Sequence, residues 1–137
     1  MKINILKKNN KTLSKLYNEV FNAENEIIDI EKSKKNNIKF LCAIDDNEIV
    51  GAIMITTKFD YVQNIKTFYL DYVAVLEKYR RKGIATLMLQ EVEKLAKKEK
   101  ISFIEFTSNS KRLEAIKLYS SLNYNIKDTN VFFKKIV

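Results

Sequence analysis

Apolar positions along the chain change their period several times, and each change predicts an element. Ile3 to Leu6 reads as a short strand. Lys11 to Ala23 carries Leu13, Leu16, Tyr17, Val20 and Phe21 at helical spacing. Asn22 to Asn37 is polar, with Ile27, Ile28 and Ile30 suggesting a short second helix. Phe40 to Ile44 and Ile49 to Thr57 are apolar runs on either side of Asp45-Asp46-Asn47-Glu48, the pattern of a hairpin. A mostly polar connection, Lys58 to Lys66, leads to a long strand from Thr67 to Val75. From Gly83 to Lys98, Ile84, Leu87, Met88, Val92, Leu95 and Ala96 form one apolar stripe, with Glu91, Glu93, Lys94, Lys97 and Lys98 on the wet side. Ile101 to Thr107 returns as a strand. Lys111 to Leu122 reads as a helix with Ala115, Ile116, Tyr119 and Leu122 inward. Tyr124 to Lys127 and Val131 to Lys135 predict two closing strands around Asp128-Thr129-Asn130.

A hairpin followed by a strand–helix–strand unit implies an α/β protein of the α+β kind, a mixed sheet covered by helices. No repeat, low-complexity segment or Pro/Gly linker divides it, and 137 residues suit one domain spanning 1–137. An apolar fraction of 46% against 31% charged residues excludes disorder. The lone Cys42, inside Phe40-Leu41-Cys42-Ala43-Ile44, reads as a small buried hydrophobe, and one cysteine allows no internal disulfide. Met1-Lys2-Ile3-Asn4 opens a polar stretch, so no signal peptide is expected. No apolar run approaches the roughly 20 residues that would span a bilayer. These features make the cytoplasm the expected compartment, with no membrane partner. The charge of +8 comes from lysines spread over the whole chain rather than an arginine-rich block, which disfavours a nucleic-acid reader. Histidine is absent, so catalysis cannot rest on an imidazole and His-ligated metal is excluded. No metal is expected.

Only two glycines exist, and one, Gly83, stands at the start of the best helix. A helix usually takes Ser, Thr or Asp there. Glycine lets the backbone approach something closely, and the free N–H groups of a first helical turn attract anions. Lys78, Arg80, Arg81 and Lys82 crowd this turn. Cations at a helix N-terminus oppose the macrodipole by about 0.3–1 kcal/mol each, and a bound polyphosphate would reverse the sign. A solvated basic loop is the bland alternative.

Arg80-x-x-Gly83-x-Ala85, preceded by Val73-Ala74-Val75 and followed by an amphipathic helix, resembles motif A of the GNAT superfamily of N-acetyltransferases, written Gln/Arg-x-x-Gly-x-Gly/Ala. Thr107 to Tyr124, with Ala115, Leu118-Tyr119 and Leu122-Asn123-Tyr124, resembles motif B. The resemblance covers residues 38–135 well, and the first 37 by element order alone. It implies the GNAT fold, a central mixed, mostly antiparallel sheet with a V-shaped splay and about four flanking helices. It also implies acetyl-CoA as cosubstrate. Val73, Ala74 and Val75 would bond the pantetheine arm through backbone, and a backbone N–H near Val73 would polarise the thioester carbonyl. Arg80, Arg81, Lys82, Gly83, Ile84 and Ala85 would hold the pyrophosphate, and Asn109 and Tyr119 would contact the cofactor. Two departures stand out. Arg81 occupies a place where many members have Gly, and Asn123 replaces the usual motif-B Gly while tolerating the left-handed region that a helix C-cap needs.

Acetyl transfer to an amine requires a proton acceptor for the amine, polarisation of the carbonyl and a proton for the departing thiolate. Tyr119 matches the family tyrosine that protonates the thiolate, although its inward position also suits a structural aromatic. Two carboxylates compete as base. Glu105 interrupts an apolar strand and shares a face with Phe103 and Thr107 by alternation, while Asp71 shares one with Tyr69, Val73 and Val75. Either also reads as a solvent-facing charge. Asn109 or Ser110 is the expected N-cap of the Tyr119 helix. The connection Lys58 to Lys66, with Phe59 and Tyr61, is expected to shape the acceptor pocket. The acceptor would be a small-molecule or peptide amine, and a homodimer fits the family. Two other functions compete: a CoA-binding regulatory module without catalysis, and a basic nucleic-acid-binding domain.

Overall fold

The alternating runs assemble into one sheet. In the computed structural model, which describes residues 1–137, β1 (Lys2–Ile5), β2 (Ile38–Asp45), β3 (Glu48–Asp60) and β4 (Ile65–Val75) pair antiparallel in chain order. β5 (Phe103–Phe106) adds parallel to β4 at the edge. The helices are α1 (Lys11–Phe21), α2 (Ile30–Lys35), α3 (Ile84–Lys98) and α4 (Leu113–Ser121). A mixed, mostly antiparallel sheet with four helices is the expected architecture. Residues Met1–Thr107 and Ser108–Val137 form two compact units, the first holding the sheet with α1 to α3 and the second α4.

Strand parity sorts the core of the first unit into two faces. Gly51 lies under α3, where a Cβ would come within 3.1 Å of Met88 Cε and 3.3 Å of Ile84 Cγ2. Ala43, Leu41, Ile53, Ile55, Phe68 and Leu70 share that face by register, and all are buried. Phe40 and Cys42 have the opposite parity, and Phe40 meets the Tyr17 ring of α1 at 6.1 Å. So α1 covers one face of the sheet and α3 the other. Buried apolar side chains at this density supply most of the stabilisation of such a unit.

Several expected boundaries move, each for a local reason. The polar stretch Lys58 to Lys66 is not an open connection. β3 and β4 pair through Phe59↔Lys66 and Asp60↔Ile65, leaving a tip of Tyr61 to Asn64. The Asp60 carboxylate accepts from the Val62 and Gln63 N–H groups at 3.0 and 2.9 Å and closes the tip. Ladder bonds and this Asx turn outweigh polar composition. The second helix starts only at Ile30, because Asp29 caps it by accepting from Lys32 N. In α3 the buried stripe uses Leu89, and Leu87 is exposed. The two closing strands do not form; Asn123 to Val137 contains neither helix nor strand. Val131, Phe132, Phe133 and Ile136 are exposed, so no buried face selects a strand register there.

Candidate active site

The site builds on β4, whose two halves differ. From Thr67 to Leu70, β4 pairs with β3 on one side and β5 on the other. Beyond Leu70 the β5 ladder ends at Phe106, and Asp71–Val75 keeps only its β3 neighbour. The end of this ladder leaves the β5 side of Asp71–Val75 open. Inside it the register slips, since Met54 pairs with Asp71 and Ala52 with Ala74. Ile53 therefore faces two residues, Tyr72 and Val73, in a β-bulge. Tyr72 takes up the extra length with φ +51.

The bulge overturns one expectation. Simple alternation placed Asp71, Val73 and Val75 on a common face. The slipped register instead puts Asp71 in a row with Met54 and Phe40 on the α1 face, while Val75 pairs with Gly51 on the α3 face. One inserted residue flips everything after it. Tyr72 turns to the α1 side too, its ring 6.0 Å from Tyr17 and 5.2 Å from Phe21. Two consecutive side chains, Asp71 and Tyr72, thus point the same way. The backbone of Asp71 to Val75 along the β5 side is left without a strand partner, as an extended amide-bearing ligand would need.

β4 runs into the basic turn through Glu77–Tyr79, one turn of 3₁₀ helix. Gly83 has φ +78 and caps α3 without any side-chain bond, leaving the first-turn N–H groups of Ile84, Ala85 and Thr86 outside the helix ladder. Arg81 also lies in the left-handed region, at φ +62. The position where many family members carry Gly is therefore one whose backbone favours Gly. Arg80 Nε donates to Val75 O at 3.0 Å, and Tyr79 OH donates to Asp45 Oδ2 at 2.9 Å, which ties the turn to the β2–β3 hairpin. The Lys78 and Lys82 ammonium groups sit 5.4 and 5.5 Å from the Tyr79 ring centre. Arg80, Arg81, Lys82 and Gly83 are exposed, so their charges and N–H groups remain available to a phosphate.

Both candidate bases stand on the α1 face. Glu105 pairs in register with Tyr69, which has the parity of Asp71. Burial pushes the Asp71 carboxyl up from its ordinary value. Tyr17, on α1, is 5% exposed, and burial raises its phenol well above the usual value, with Cys42, Asp71 and Tyr72 adding to the rise. Cys42 is buried, and desolvation holds its thiol at about 12. The helical spacing of α1 puts Tyr17 and Phe21 on one apolar stripe; what it hides is that both rings meet Tyr72.

The second unit carries Asn109 and Tyr119. Asn109 does not cap α4. Its side chain accepts from Lys111 N at 2.9 Å in an Asx turn, and the cap position belongs to Arg112, which makes no side-chain capping bond. Burial raises the Tyr119 phenol, with the Arg112 charge opposing. Asn123 has φ +68, and the bonds Asn123 N to Ser120 O and Tyr124 N to Tyr119 O complete a Schellman cap. Asn123 thus does what the usual glycine does.

A cavity of about 550 Å³ beside the turn is lined by α1 residues including Lys15 and Glu19, by Glu48, and by Leu76 to Lys78 with Arg80. Of the expected site residues, only Arg80 borders it. Phe59 and Tyr61 line a smaller cavity of about 250 Å³ at the tip of the β3–β4 hairpin, away from the bulge. No group of His, Cys, Asp or Glu side chains is arranged to hold a metal ion.

Known proteins are similar to this chain in sequence and in fold. An N-alpha-acetyltransferase of Saccharolobus solfataricus is 35% identical over 103 residues, 69% of this chain and 61% of that protein. An aminoglycoside N(6')-acetyltransferase type 1 of Acinetobacter genomosp. 13 is 29% identical over 104 residues, 72% of this chain and 70% of its own length. The fold is that of an aminoglycoside N-acetyltransferase, AAC(6')-Iy, solved in complex with CoA. The two share a TM-score of 0.76 at 15% identity over 99% of this chain and 100% of that one. The sequence model of the acetyltransferase (GNAT) family matches residues 6–124. With its bulged, open-edged β4 and its glycine-started α3, the chain belongs to the GNAT family of acyl-CoA-dependent acetyltransferases.

Proposed function

We propose that the chain transfers an acetyl group from acetyl-CoA to a primary amine by direct attack in a ternary complex, with residues 1–137 acting as one catalytic domain. The observation that carries this reading is the open edge of β4 from Asp71 to Val75, which leads straight into the basic turn of α3. Backbone groups of Val73, Ala74 and Val75 hold the pantetheine arm. Arg80, Arg81 and Lys82, with the N–H groups from Gly83 to Ala85, hold the pyrophosphate. Acetyl-CoA supplies the thioester. Asp71 accepts the amine proton as the new N–C bond forms, and the Val73 N–H polarises the carbonyl. Tyr119 protonates the sulfur as the C–S bond breaks, and Asn109 supports the arm. Asp71 is preferred to Glu105 because it stands at the bulge with a raised pKa, which suits a base working near neutrality.

The acceptor is a small-molecule or peptide amine, as the names of the relatives suggest, and the reaction takes place in the cytoplasm. Titration calorimetry with acetyl-CoA, beside an amine-panel assay of free thiol release, tests the reading. Tyr119→Phe should keep acetyl-CoA binding and slow thiol release at least tenfold. Unchanged turnover in Tyr119→Phe and in Asp71→Asn would remove this mechanism, and no acetyl-CoA binding would remove the function.

A further inference from the structure

Tyr17 presents a problem that the fold does not solve. Its ring is packed against Phe40, Phe21 and Tyr72, at centroid distances of 6.1, 6.0 and 6.0 Å, yet its hydroxyl is buried and has no hydrogen-bond partner. A buried polar group left unmade is destabilising, so native proteins rarely keep one without use. Phenylalanine at this position would pack the same way. The hydroxyl therefore points to a ligand that completes its bond.

The surroundings say what kind of ligand. Phe21 and Tyr72 are 41% and 55% exposed, so the aromatic cluster opens to solvent at one side and can receive an apolar group. Asp71 stands at the bulge in the sheet row of Met54 and Phe40, the residue whose ring meets Tyr17, and its charge reaches the Tyr17 phenol. One carboxylate matches one ammonium, and the net charge of +8 disfavours a polycation. A neutral phenol donates one hydrogen bond, which suits a carbonyl oxygen.

We propose that Tyr17, Phe21, Asp71 and Tyr72 form the acceptor subsite, with Tyr17 as its specificity-determining residue. Its ligand is a singly charged primary amine with a carbonyl beside the amine-bearing carbon and an apolar side group, the chemistry of the amino end of a peptide. The amine lies at Asp71, the carbonyl oxygen accepts from Tyr17 OH, and the side group rests on Phe21 and Tyr72. This inference rests on the acetyltransferase reading above.

Three amines test it: phenylalaninamide, phenethylamine (the same ring and amine without the carbonyl) and the polycationic kanamycin. The wild-type chain should favour phenylalaninamide in kcat/KM over both others by about tenfold, the worth of one good hydrogen bond. Tyr17→Phe should cut the phenethylamine-to-phenylalaninamide KM ratio about tenfold while leaving thermal stability equal or higher, since it removes an unpartnered hydroxyl. A merely structural tyrosine would not move that ratio. Tyr72→Ala, at an exposed side chain, should raise the KM for phenylalaninamide by a similar factor. A preference for kanamycin, no transfer to phenylalaninamide, or an unchanged KM ratio in Tyr17→Phe overturns the inference. Titration with acetyl-CoA separates the two levels. Bound acetyl-CoA with any of those results sinks only the subsite, whereas no binding sinks the function beneath it.

Discussion

Ile65–Leu70 and Asp71–Val75 are halves of one strand with similar composition, and they do different work. The first half is paired through Thr67–Leu70 on both sides and buries Phe68 and Leu70 under α3. The second is paired on one side, slips its register by one residue and holds Tyr72 in the left-handed region. A doubly paired strand has no spare backbone groups and can only support. A singly paired, bulged one has amides to offer and can aim consecutive side chains at one place. Doubly paired and open backbone are thus separated within eleven residues by where the neighbouring strand stops.

Substitutions in the two halves should therefore fail differently. The largest effect belongs to Phe68→Ala, which empties a fully buried site and should destabilise the fold by about 3–5 kcal/mol in urea or thermal unfolding. Asp71→Asn should do the reverse, keeping the fold and lowering kcat/KM about 100-fold or more. Its pH behaviour has a fixed sign. Burial favours the neutral carboxyl, so the stability Asp71 contributes is present below the ordinary carboxylate pKa and lost as pH rises through the raised folded value. At neutral pH the asparagine variant should be no less stable than the parent. Activity should rise with pH through that same raised pKa, and the pH–rate profile of Asp71→Asn should lack this limb. If Glu105→Gln removed the limb instead, the bulge would not hold the base.

The smallest effect extends the comparison into the turn that β4 feeds. Arg81 at φ +62 carries a strain of about 1–2 kcal/mol for a residue with a Cβ. Arg81→Gly relieves it but adds chain entropy to the unfolded state, about 0.5–1 kcal/mol. The net gain should lie between about 0 and 1.5 kcal/mol and show as a slight rise in melting temperature. Loss of one exposed cation should weaken acetyl-CoA binding only a few fold, as calorimetry would show.

Much of this was legible before folding. The helical stripe of α3 and its opening at Gly83 follow from period and from the rarity of glycine in this chain. The Leu122-Asn123-Tyr124 step signals a C-cap, and Asn123 forms one. These are local features, set by residues within a few positions of each other. The face of Asp71 was not legible, because nothing in Leu70-Asp71-Tyr72-Val73 marks a bulge and the alternation reads cleanly through it. The hairpin extension through Lys58 to Lys66 was hidden for the same kind of reason, since its ladder partners lie on the opposite strand.

What the sequence determined by itself is therefore the order of elements from β1 to α4, the basic, glycine-started turn and the family-like spacing of Arg80, Gly83 and Tyr119. These depend on backbone preference and short-range period, which a chain carries along its length. Only the tertiary structure decided that β5 stops at Phe106, that Ile53 faces two residues of β4, and that α1 brings a buried, unpartnered Tyr17 hydroxyl to the same cluster as Tyr72. Register and the meeting of distant faces are set by packing across strands and helices.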